Sequence, residues 1–350
     1  MREYHNILVY AMVNLGDVIL LTSAIALLKK IYPNARITML SRPIVREVIE
    51  HNPVIDDVIL FDYKAKQNAV GRMWAMVQEL RARKFDLAIS FDRKLRTALL
   101  CWLAGIPVRV GPSRVLDARP SRVTWLYTNT VPITYNLDET LQAETYQEII
   151  RSFTGREGHE RPILPSPTAQ QREKAAELLS SAAGKRRIGL CVKGTFGLKT
   201  WPKEYFVEVV RTLHARYDAA FYVTGAPGDH AYAEEVIQAI GLPVENLCGK
   251  TNLMELTALY AQLDLLVSVD TGGAHIAAVT GVPLVVMFGC TSPRRWHPIS
   301  ERAAVFSSHE PCCPCSYGET DCPSHPQPDC LYHVKPDTII AACTAYLDET

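Results

Sequence analysis

The chain has 350 residues, of which 48% are hydrophobic and 21% are charged, an ordinary globular balance with enough chain for two domains. Its formal net charge is zero, which argues against a nucleic-acid-binding protein held by bulk charge. No apolar run approaches the roughly 20 residues that span a bilayer. The N-terminus has only a short apolar core and no small-residue cleavage site, so we expect a cytoplasmic protein rather than a secreted one.

The first half of the chain alternates predicted strands with predicted helices. The strands fall at residues 5–13, 36–40, 58–61 and 85–91, and the helices at residues 18–31, 70–83, 94–104 and 138–153. Residues 111–132 are rich in Pro, Arg and Ser and are predicted as a loop with at most one strand, at 124–129. This alternation predicts a parallel sheet with helices on both faces.

A second α/β half follows a segment, residues 154–168, that carries three prolines and two glycines and is predicted as a linker. Strands are predicted at 187–192, 220–224, 265–269 and 283–288, with helices at 169–183, 203–216, 230–240, 253–262, 274–280 and 336–347. We therefore predict an N-terminal Rossmann-like domain over 1–153, a second over 169–335 and a C-terminal helix over 336–350. The two domains are expected to face each other across a cleft, with ligands beyond the carboxyl ends of the strands.

Charge is distributed unevenly between the halves. Residues 1–153 carry 20 Lys and Arg against 15 Asp and Glu, and the remainder carries 17 against 22. Much of the basic excess lies between residues 93 and 122, in Arg93, Lys94, Arg96, Arg109, Arg114, Arg119 and Arg122. Such a cluster could face an acidic acceptor or an anionic membrane surface, and a merely solvated loop is an equally good interpretation.

The turn Asn14-Leu15-Gly16-Asp17 follows the first predicted strand and precedes a helix. Asp17 has two interpretations. It could be an N-cap with a purely structural role, or a carboxylate general base at the cleft.

The loop at residues 193–202, KGTFGLKTWP, also lies between a strand and a helix. Its two lysines, two glycines and two hydroxyls suit a phosphate cradle. It is not a Walker A loop, because the Gly-Lys-Ser/Thr ending is missing.

A third strand end is followed by Asp270, Thr271, Gly272 and Gly273 at the start of a helix of small residues. Unpaired N–H groups and the helix dipole both favour an anion at such a position. An ordinary strand–helix turn without a ligand is the alternative. His275, one turn further, is either a packed core histidine or a ligand contact.

Five of the ten cysteines, Cys101, Cys191, Cys248, Cys290 and Cys343, lie in apolar segments and are predicted as buried thiols. The others crowd the stretch 309–333, where Cys312, Cys315, Cys322 and Cys330 could form a four-thiolate zinc site. The spacing is irregular for a zinc ribbon, so reduced thiols or a local disulfide remain the alternative.

The stretch DTGGAHIAAVTGVPLVVMFGCTSPRRWHP, residues 270–298, resembles the C-terminal signature of glycosyltransferase family 9, the bacterial heptosyltransferases. Gly16-Asp17 before an apolar helix resembles the N-terminal motif of the family, and Thr195 with Lys199-Thr-Trp-Pro resembles its phosphate-binding loop. Position 194, which often carries a hydroxyl or small residue in the family, is glycine here, so a backbone N–H was expected to replace one side-chain contact. The resemblance covers nearly the whole chain.

The resemblance implies a GT-B fold and an inverting transfer of heptose from ADP-L-glycero-β-D-manno-heptose to the lipid A–inner core acceptor at the cytoplasmic face of the inner membrane. It implies that Asp17 is the base and that no cofactor is required. It further implies the following assignments: donor phosphates on Thr195, Lys199, Thr271, Gly272 and Gly273; donor sugar on Asp270 and His275; nucleotide on Gly225, Asp229 and Lys250. The Asp17 turn and the basic cluster give the candidate acceptor contacts, Asn14, Gly16, Arg93, Arg119 and Arg122.

Other functions are less consistent with the sequence. A nucleotide-sugar epimerase or dehydrogenase would carry GxGxxG after the first strand and a Tyr-x₃-Lys pair, and the chain has neither. A transferase for another nucleotide-sugar, or a binding protein that has lost catalysis, stays open, since the presence of Asp17 and Lys199 does not prove turnover. The sequence does not decide the oligomeric state.

Overall fold

The computed structural model describes residues 3–62, 69–92, 94–114, 120–134, 136–308, 310, 312–315, 322 and 329–349. The chain forms two compact units, Met1–Pro165 and Ser166–Thr350. Each contains one six-stranded, entirely parallel sheet flanked by helices. The prediction of two Rossmann-like domains is therefore confirmed.

The first sheet has the strand order β3-β2-β1-β4-β5-β6. Its strands are β1 (Asn6–Tyr10), β2 (Arg36–Ser41), β3 (Asp57–Leu60), β4 (Leu87–Ser90), β5 (Val108–Pro112) and β6 (Asn129–Val131). The central strands are continuous apolar runs because helices cover both faces of the sheet. Ile7 to Tyr10, for example, are all fully buried.

Five helices of the first unit lie among the described residues: α1 (Leu15–Ile31), α2 (Arg46–Ile49), α3 (Ala69–Arg83), α4 (Leu95–Leu103) and α5 (Gln142–Thr154). Helix α1 is buried all round from Val18 to Leu28 and packs against α5. Helices α3 and α4 pack on each other over a separate apolar cluster. The first sheet is thus covered by an α1/α5 layer and an α3/α4 layer.

An extended strap, residues 155–165, follows α5 and packs back onto the first unit. Ile163 N–H donates to Thr22 Oγ1 at 2.9 Å, and Asn52 Nδ2 donates to the Ile163 carbonyl at 2.9 Å. The fully buried Gln147 of α5 makes two hydrogen bonds to the backbone of Glu160. The strap is therefore part of the first unit although it contains no helix or strand.

The second sheet has the order β12-β11-β10-β7-β8-β9. Its strands are β7 (Arg186–Cys191), β8 (Ala219–Val223), β9 (Val244–Asn246), β10 (Leu265–Val269), β11 (Leu284–Phe288) and β12 (Ala303–Ser307). The described helices are α6 (Ala169–Leu178), α7 (Lys203–Arg216), α8 (His230–Ile240), α9 (Leu253–Tyr260), α10 (Gly272–Thr280), α11 (Pro293–Trp296), α12 (Asp329–Tyr332) and α13 (Pro336–Asp348). Because β7, β8, β10 and β11 are neighbours in the sheet, the loops after them meet at one edge.

Several element predictions were wrong, mostly at the sheet edges. Strands β5, β9 and β12 were missed, because β9 and β12 are only half buried and β5 contains an arginine, a glycine and a proline. The strand proposed at 124–129 is instead a 3₁₀ turn, Thr124–Leu126, followed by β6. Helix α6 ends at Leu178, and a 3₁₀ turn at Ser180–Ala182 takes the place of its predicted last turn.

None of the helices in the described parts of the chain combines the length and the apolar character needed to cross a bilayer.

Candidate active site

Three side chains from different strand ends meet in the second unit. Lys199 Nζ lies 2.6 Å from Asp270 Oδ2, and Thr291 Oγ1 donates to the same oxygen at 2.6 Å. Lys199 is in the loop after β7, Asp270 follows β10, and Thr291 follows β11. The pair is largely removed from water, with 17% of the Lys199 side chain and 7% of the Asp270 side chain exposed. Sequence reasoning missed Thr291, although it follows a buried strand end as Asp270 does.

The loop after β7 folds tightly around Gly194, which explains the glycine at this position. A Cβ on Gly194 would lie 2.4 Å from the Lys199 Cβ and 2.5 Å from the Lys199 carbonyl oxygen. Gly194 N–H donates to Thr200 Oγ1 at 3.2 Å, so that N–H is already engaged inside the loop. The expected role of the Gly194 backbone as a replacement ligand contact is therefore not supported, while Thr195 is exposed in the same loop.

Helix α10 begins directly after Asp270, with Thr271 as its N-cap residue. Thr271 makes no side-chain capping hydrogen bond, and its buried Oγ1 has no hydrogen-bond partner within the described chain. Gly272 and Gly273 form the first turn, where the backbone N–H groups of any helix lack intrahelical acceptors. The helix start thus combines free backbone donors with an unused hydroxyl beside the Lys199–Asp270 pair.

His275 lies one turn into α10 and is 4% exposed. Burial lowers the pKa of His275 from 6.5 to about 4, against an opposing effect of Asp270, and Lys199 and His297 lower it further. The imidazole is therefore neutral at pH 7. Its Nδ1 atom has no hydrogen-bond partner among the described residues, which makes it available to a ligand.

The turn Gly225–Asp229 lies after β8 and is fastened to the loop before α9. Gly249 N–H donates to the Gly225 carbonyl at 3.0 Å, and a Cβ on Gly225 would meet Asp229 Oδ2 and Cys248 Sγ at 3.1 Å. Asp229 accepts from Ala226 N–H at 2.9 Å and pairs with Lys193 at 3.2 Å. The Asp229 carboxylate thus closes its own turn, and Lys250 is exposed beside it.

A buried polar triangle lies beneath these loops. Thr224 Oγ1 and Tyr260 OH are 2.8 Å apart, and Cys191 Sγ lies 3.3 Å and 3.1 Å from them. Burial raises the pKa of both the Cys191 thiol and the Tyr260 phenol, so both stay protonated at neutral pH. No local sequence pattern indicates this triangle, because its members are up to 69 residues apart.

In the first unit, Asp17 is the third residue of α1, and Asn14 occupies the N-cap position. The N-cap interpretation of Asp17 is therefore wrong. Tyr146 OH of α5 donates to Asp17 Oδ1 at 3.1 Å, and the Tyr146 ring packs edge-on against Phe91 at 5.6 Å. Asp17 is partly exposed at the carboxyl end of β1, with one oxygen oriented by a packed tyrosine.

A buried carboxylate that the sequence analysis missed, Asp92, lies at the end of β4. It accepts from Met12 N–H at 3.0 Å, from Lys94 N–H at 3.1 Å and from the Thr97 hydroxyl at 2.8 Å. Burial raises the pKa of Asp92, against the opposing effect of these donors. Its bonds tie the end of β4 to the segment that leads from β1 into the Asp17 turn.

The predicted acceptor contacts are only partly described. Asn14 is exposed and accepts from Arg42 Nη1 at 3.1 Å, Gly16 lies in the first turn of α1, and Arg122 is exposed. Arg93 and Arg119 lie outside the described residues.

The predicted zinc site is not supported. In the described chain, which includes Cys312, Cys315, Cys322 and Cys330, no three or more His, Cys, Asp or Glu side chains form a group that could hold a metal ion. Cys312 is exposed, whereas the buried Cys330 receives a hydrogen bond from Cys313, which lowers the pKa of the Cys330 thiol. The Cys-x₂-Cys pair of Cys312 and Cys315 is therefore not part of a four-thiol set in the described chain.

The sequence matches the family described as Glycosyltransferase family 9 (heptosyltransferase) over residues 73–323. The chain is 28% identical over 302 residues to lipopolysaccharide heptosyltransferase 3 of Escherichia coli, covering 83% of this chain and 85% of the relative. Its fold is similar to the glycosyl transferase family 9 structure from Veillonella parvula, with a TM-score of 0.84, 23% identity and coverage of 100% and 99%. It is also similar to E. coli ADP-heptose lps heptosyltransferase II, with a TM-score of 0.77, 20% identity and coverage of 98% and 99%.

The buried His275 gives a testable pH dependence of stability. As the pH falls below 6.5, His275 takes up a proton in the unfolded chain, whereas in the folded protein it does so only near pH 4. The contribution of His275 to the free energy of unfolding is therefore present above pH 6.5 and is lost as the pH falls towards 4. Between about pH 7.5 and 4.5, the wild type should lose roughly 2–3 kcal/mol more unfolding free energy than the His275→Gln variant loses. Urea denaturation at both pH values measures this.

The exposed His214 of α7 provides the control, and His214→Gln should keep the wild-type pH dependence. If His275→Gln and the wild type lose the same stability over this range, the buried neutral imidazole is disproved.

Proposed function

Since the chain belongs to glycosyltransferase family 9, the heptosyltransferases, we propose that it moves a heptose from ADP-L-glycero-β-D-manno-heptose to the inner core of lipopolysaccharide. The names of the E. coli proteins that it resembles, a lipopolysaccharide heptosyltransferase and an ADP-heptose enzyme, support this acceptor and donor. One observation carries the proposal: a donor-rich cluster at the start of α10, beside the Lys199–Asp270 ion pair, in which two buried polar atoms have no partner in the described chain.

The donor diphosphate binds at this cluster. Lys199 supplies a positive charge, and the N–H groups of Gly272 and Gly273 with the Thr271 hydroxyl supply hydrogen bonds, while Thr195 approaches from the opposite loop. An α10 N-terminus of this kind stabilises the charge that develops as ADP departs. The group that leaves is therefore met by positive potential before the bond breaks.

The heptose lies against Asp270 and His275. The Asp270 carboxylate accepts from Lys199 and Thr291 through one oxygen, Oδ2, which leaves Oδ1 for sugar hydroxyls. The neutral His275 adds Nδ1 as a hydrogen-bonding atom without adding charge. Thr291 acts through Asp270 and is thus a positioning residue.

The nucleoside is bound by the adjoining loops. Gly225 and Asp229 lie at the ribose, and Lys250 lies at the edge of the base. The hydrogen bond between Gly249 and Gly225 supports this assignment, because it holds the two loops side by side.

The first unit binds the acceptor and carries the base. The acceptor hydroxyl oxygen forms a bond to the anomeric carbon as the bond from that carbon to the phosphate oxygen breaks. The bond electrons leave with ADP, and the hydroxyl proton passes to Asp17. A single displacement of this kind inverts the anomeric centre. Asn14, Gly16, Arg93, Arg119 and Arg122 contact the phosphorylated acceptor, and no cofactor takes part.

Asp17→Asn tests the base. The substitution keeps the shape of the side chain but removes its ability to accept a proton, so kcat should fall by roughly 10²–10⁴-fold. Donor affinity and melting temperature should barely change, because Asp17 is not the N-cap residue of α1. Steady-state kinetics with purified ADP-heptose and a truncated core acceptor measure the change.

Tyr146→Phe is the matched variant, because it removes one hydrogen bond to Asp17 and leaves the carboxylate in place. Its kcat should fall by less than that of Asp17→Asn, by about 10- to 150-fold at most, since a hydrogen bond to a charged group contributes about 1.5–3 kcal/mol. Near-wild-type turnover of Asp17→Asn would defeat the mechanism.

Lys199→Ala tests the donor site. Loss of one charge-assisted contact to the diphosphate is worth roughly 1.5–3 kcal/mol, so ADP should bind about 10- to 150-fold more weakly. Donor KM should rise and kcat should fall, because the ammonium meets phosphate charge in both the ground state and the transition state. Lys185→Ala, at the opposite end of β7, is the control and should leave ADP affinity unchanged. Calorimetry that shows equal ADP affinity for Lys199→Ala and wild type removes Lys199 from the site.

Thr291→Val separates positioning from binding. The variant keeps the side-chain shape but deletes the hydroxyl that fixes Asp270, and kcat/KM should fall by about tenfold or more. Free ADP, which lacks the sugar, should still bind as to the wild type. Thr291→Ser restores the hydroxyl and should recover most of the activity. If Val and Ser behave alike, the hydroxyl does not position Asp270.

A further inference from the structure

The tryptophans of the first unit are all exposed. Trp74, Trp102 and Trp125 are its only tryptophans, and each is at least 46% exposed. Trp74 lies on α3 and Trp102 on α4, and the turn that carries Trp125 contacts α4, so all three belong to the α3/α4 layer. Burial of a large aromatic side chain is usually favourable, so a layer that exposes all three of these tryptophans points to a binding surface.

Two of these rings form the centre of a continuous patch. The rings of Trp102 and Trp125 meet edge-on with centroids 6.3 Å apart. Leu95, Leu99 and Trp102 are spaced at i, i+4 and i+7 on α4 and so share one face of the helix. Leu95 is 54% exposed and Leu99 partly so. We call Leu95, Leu99, Trp102 and Trp125 the aromatic patch.

The exposure of Trp125 is imposed by the surrounding structure. Its neighbours Val123, Leu126 and Tyr127 are buried against Ala98 of α4. Two hydrogen bonds hold the turn as well. Arg109 Nε of β5 donates to the Leu126 carbonyl at 2.7 Å, and Tyr127 OH donates to Ser90 Oγ at 3.1 Å. The turn is anchored on both sides of Trp125, so its ring is held outward.

The surroundings of the aromatic patch are basic. From residue 94 to residue 134 the sequence holds six Lys and Arg but one acidic residue, Asp117. Lys94 and Arg96 are exposed at the start of α4, and Arg122 is exposed three residues before Trp125. A potential partner surface should therefore be negatively charged.

We propose that the aromatic patch docks the first unit on the anionic surface of a lipid bilayer, an inference that rests on the proposed function insofar as the acceptor there is a lipid. Tryptophan rings favour the headgroup region, and neighbouring basic residues are attracted to anionic lipids. The patch has four residues, far fewer than the roughly 20–30 residues per side of a stable protein interface. A bilayer needs no interface of that size, because ring insertion and charge act together.

The test is co-sedimentation of the full chain with vesicles, which requires no turnover. Wild type should bind vesicles that contain phosphatidylglycerol, should bind phosphatidylcholine vesicles weakly, and should be released by high salt. The double variant Trp102→Ala/Trp125→Ala should bind about tenfold or more weakly, because apolar area is lost. Arg96→Gln should weaken binding severalfold and flatten its salt dependence.

Ile44→Gln is the matched control. Ile44 is 64% exposed but lies beside α1, on the opposite layer of the sheet, so vesicle binding should stay as in wild type. Leu95→Gln is a milder variant of the aromatic patch that keeps both tryptophans, and it should weaken binding even if the double variant is unstable. Quenching of tryptophan emission by brominated lipids should accompany binding.

Transfer to a water-soluble acceptor should be unchanged in the double variant, which separates this proposal from the failure of the proposed function. Equal vesicle binding by wild type, Leu95→Gln and the double variant would overturn the proposal. So would a wild-type dimer that the double variant loses, because the aromatic patch would then be a protein interface.

Discussion

The short ion pair between Lys199 and Asp270 joins the loop after β7 to the end of β10. Two charges that have lost most of their water are stable only while paired, and removal of one partner typically costs about 3–5 kcal/mol. A diphosphate that draws on the Lys199 charge would weaken this pair. The Thr291 hydroxyl offsets this weakening, because it continues to donate a hydrogen bond to Asp270 when Lys199 contacts the diphosphate. The ion pair therefore holds the two loops in place before the donor binds, and Lys199 can still contact the diphosphate.

The same region leaves polar groups unsatisfied, unlike the starts of α6 and α9 in the same unit. Thr168 and Asn252 form complete capping boxes at α6 and α9, whereas Thr271 makes no capping bond at α10. A buried polar atom without a partner costs about 1–3 kcal/mol, and both Thr271 Oγ1 and His275 Nδ1 are in that condition within the described chain. A ligand that supplies those partners recovers this free energy on binding. The folded protein is therefore less stable by this amount at the site where the donor is proposed to bind.

Local sequence patterns predicted most of the central, buried strands but missed the edge strands β9 and β12. Strand β10 was predicted at residues 265–269 and found there, because a continuous apolar run bounded by aspartates fits only a buried strand. Edge strands such as β12 pair on one side and are half buried, so their sequences carry no such run. In the site, strand-end position identified Asp270 and family resemblance identified Lys199. Thr291 and Tyr146 were missed, because each forms a hydrogen bond with a residue that only the tertiary fold brings near.

The strap at residues 155–165 has a consequence for dissecting the molecule. A fragment that ended with α5, where the sequence suggests a boundary, would lose the four hydrogen bonds that Thr22, Asn52 and Gln147 make to the strap, and all three side chains are buried. At about 1 kcal/mol each, these bonds are a sizeable part of the roughly 5–15 kcal/mol by which a domain is typically stable. An isolated first unit should therefore be cut after Pro165, and chain length at that end decides whether it folds.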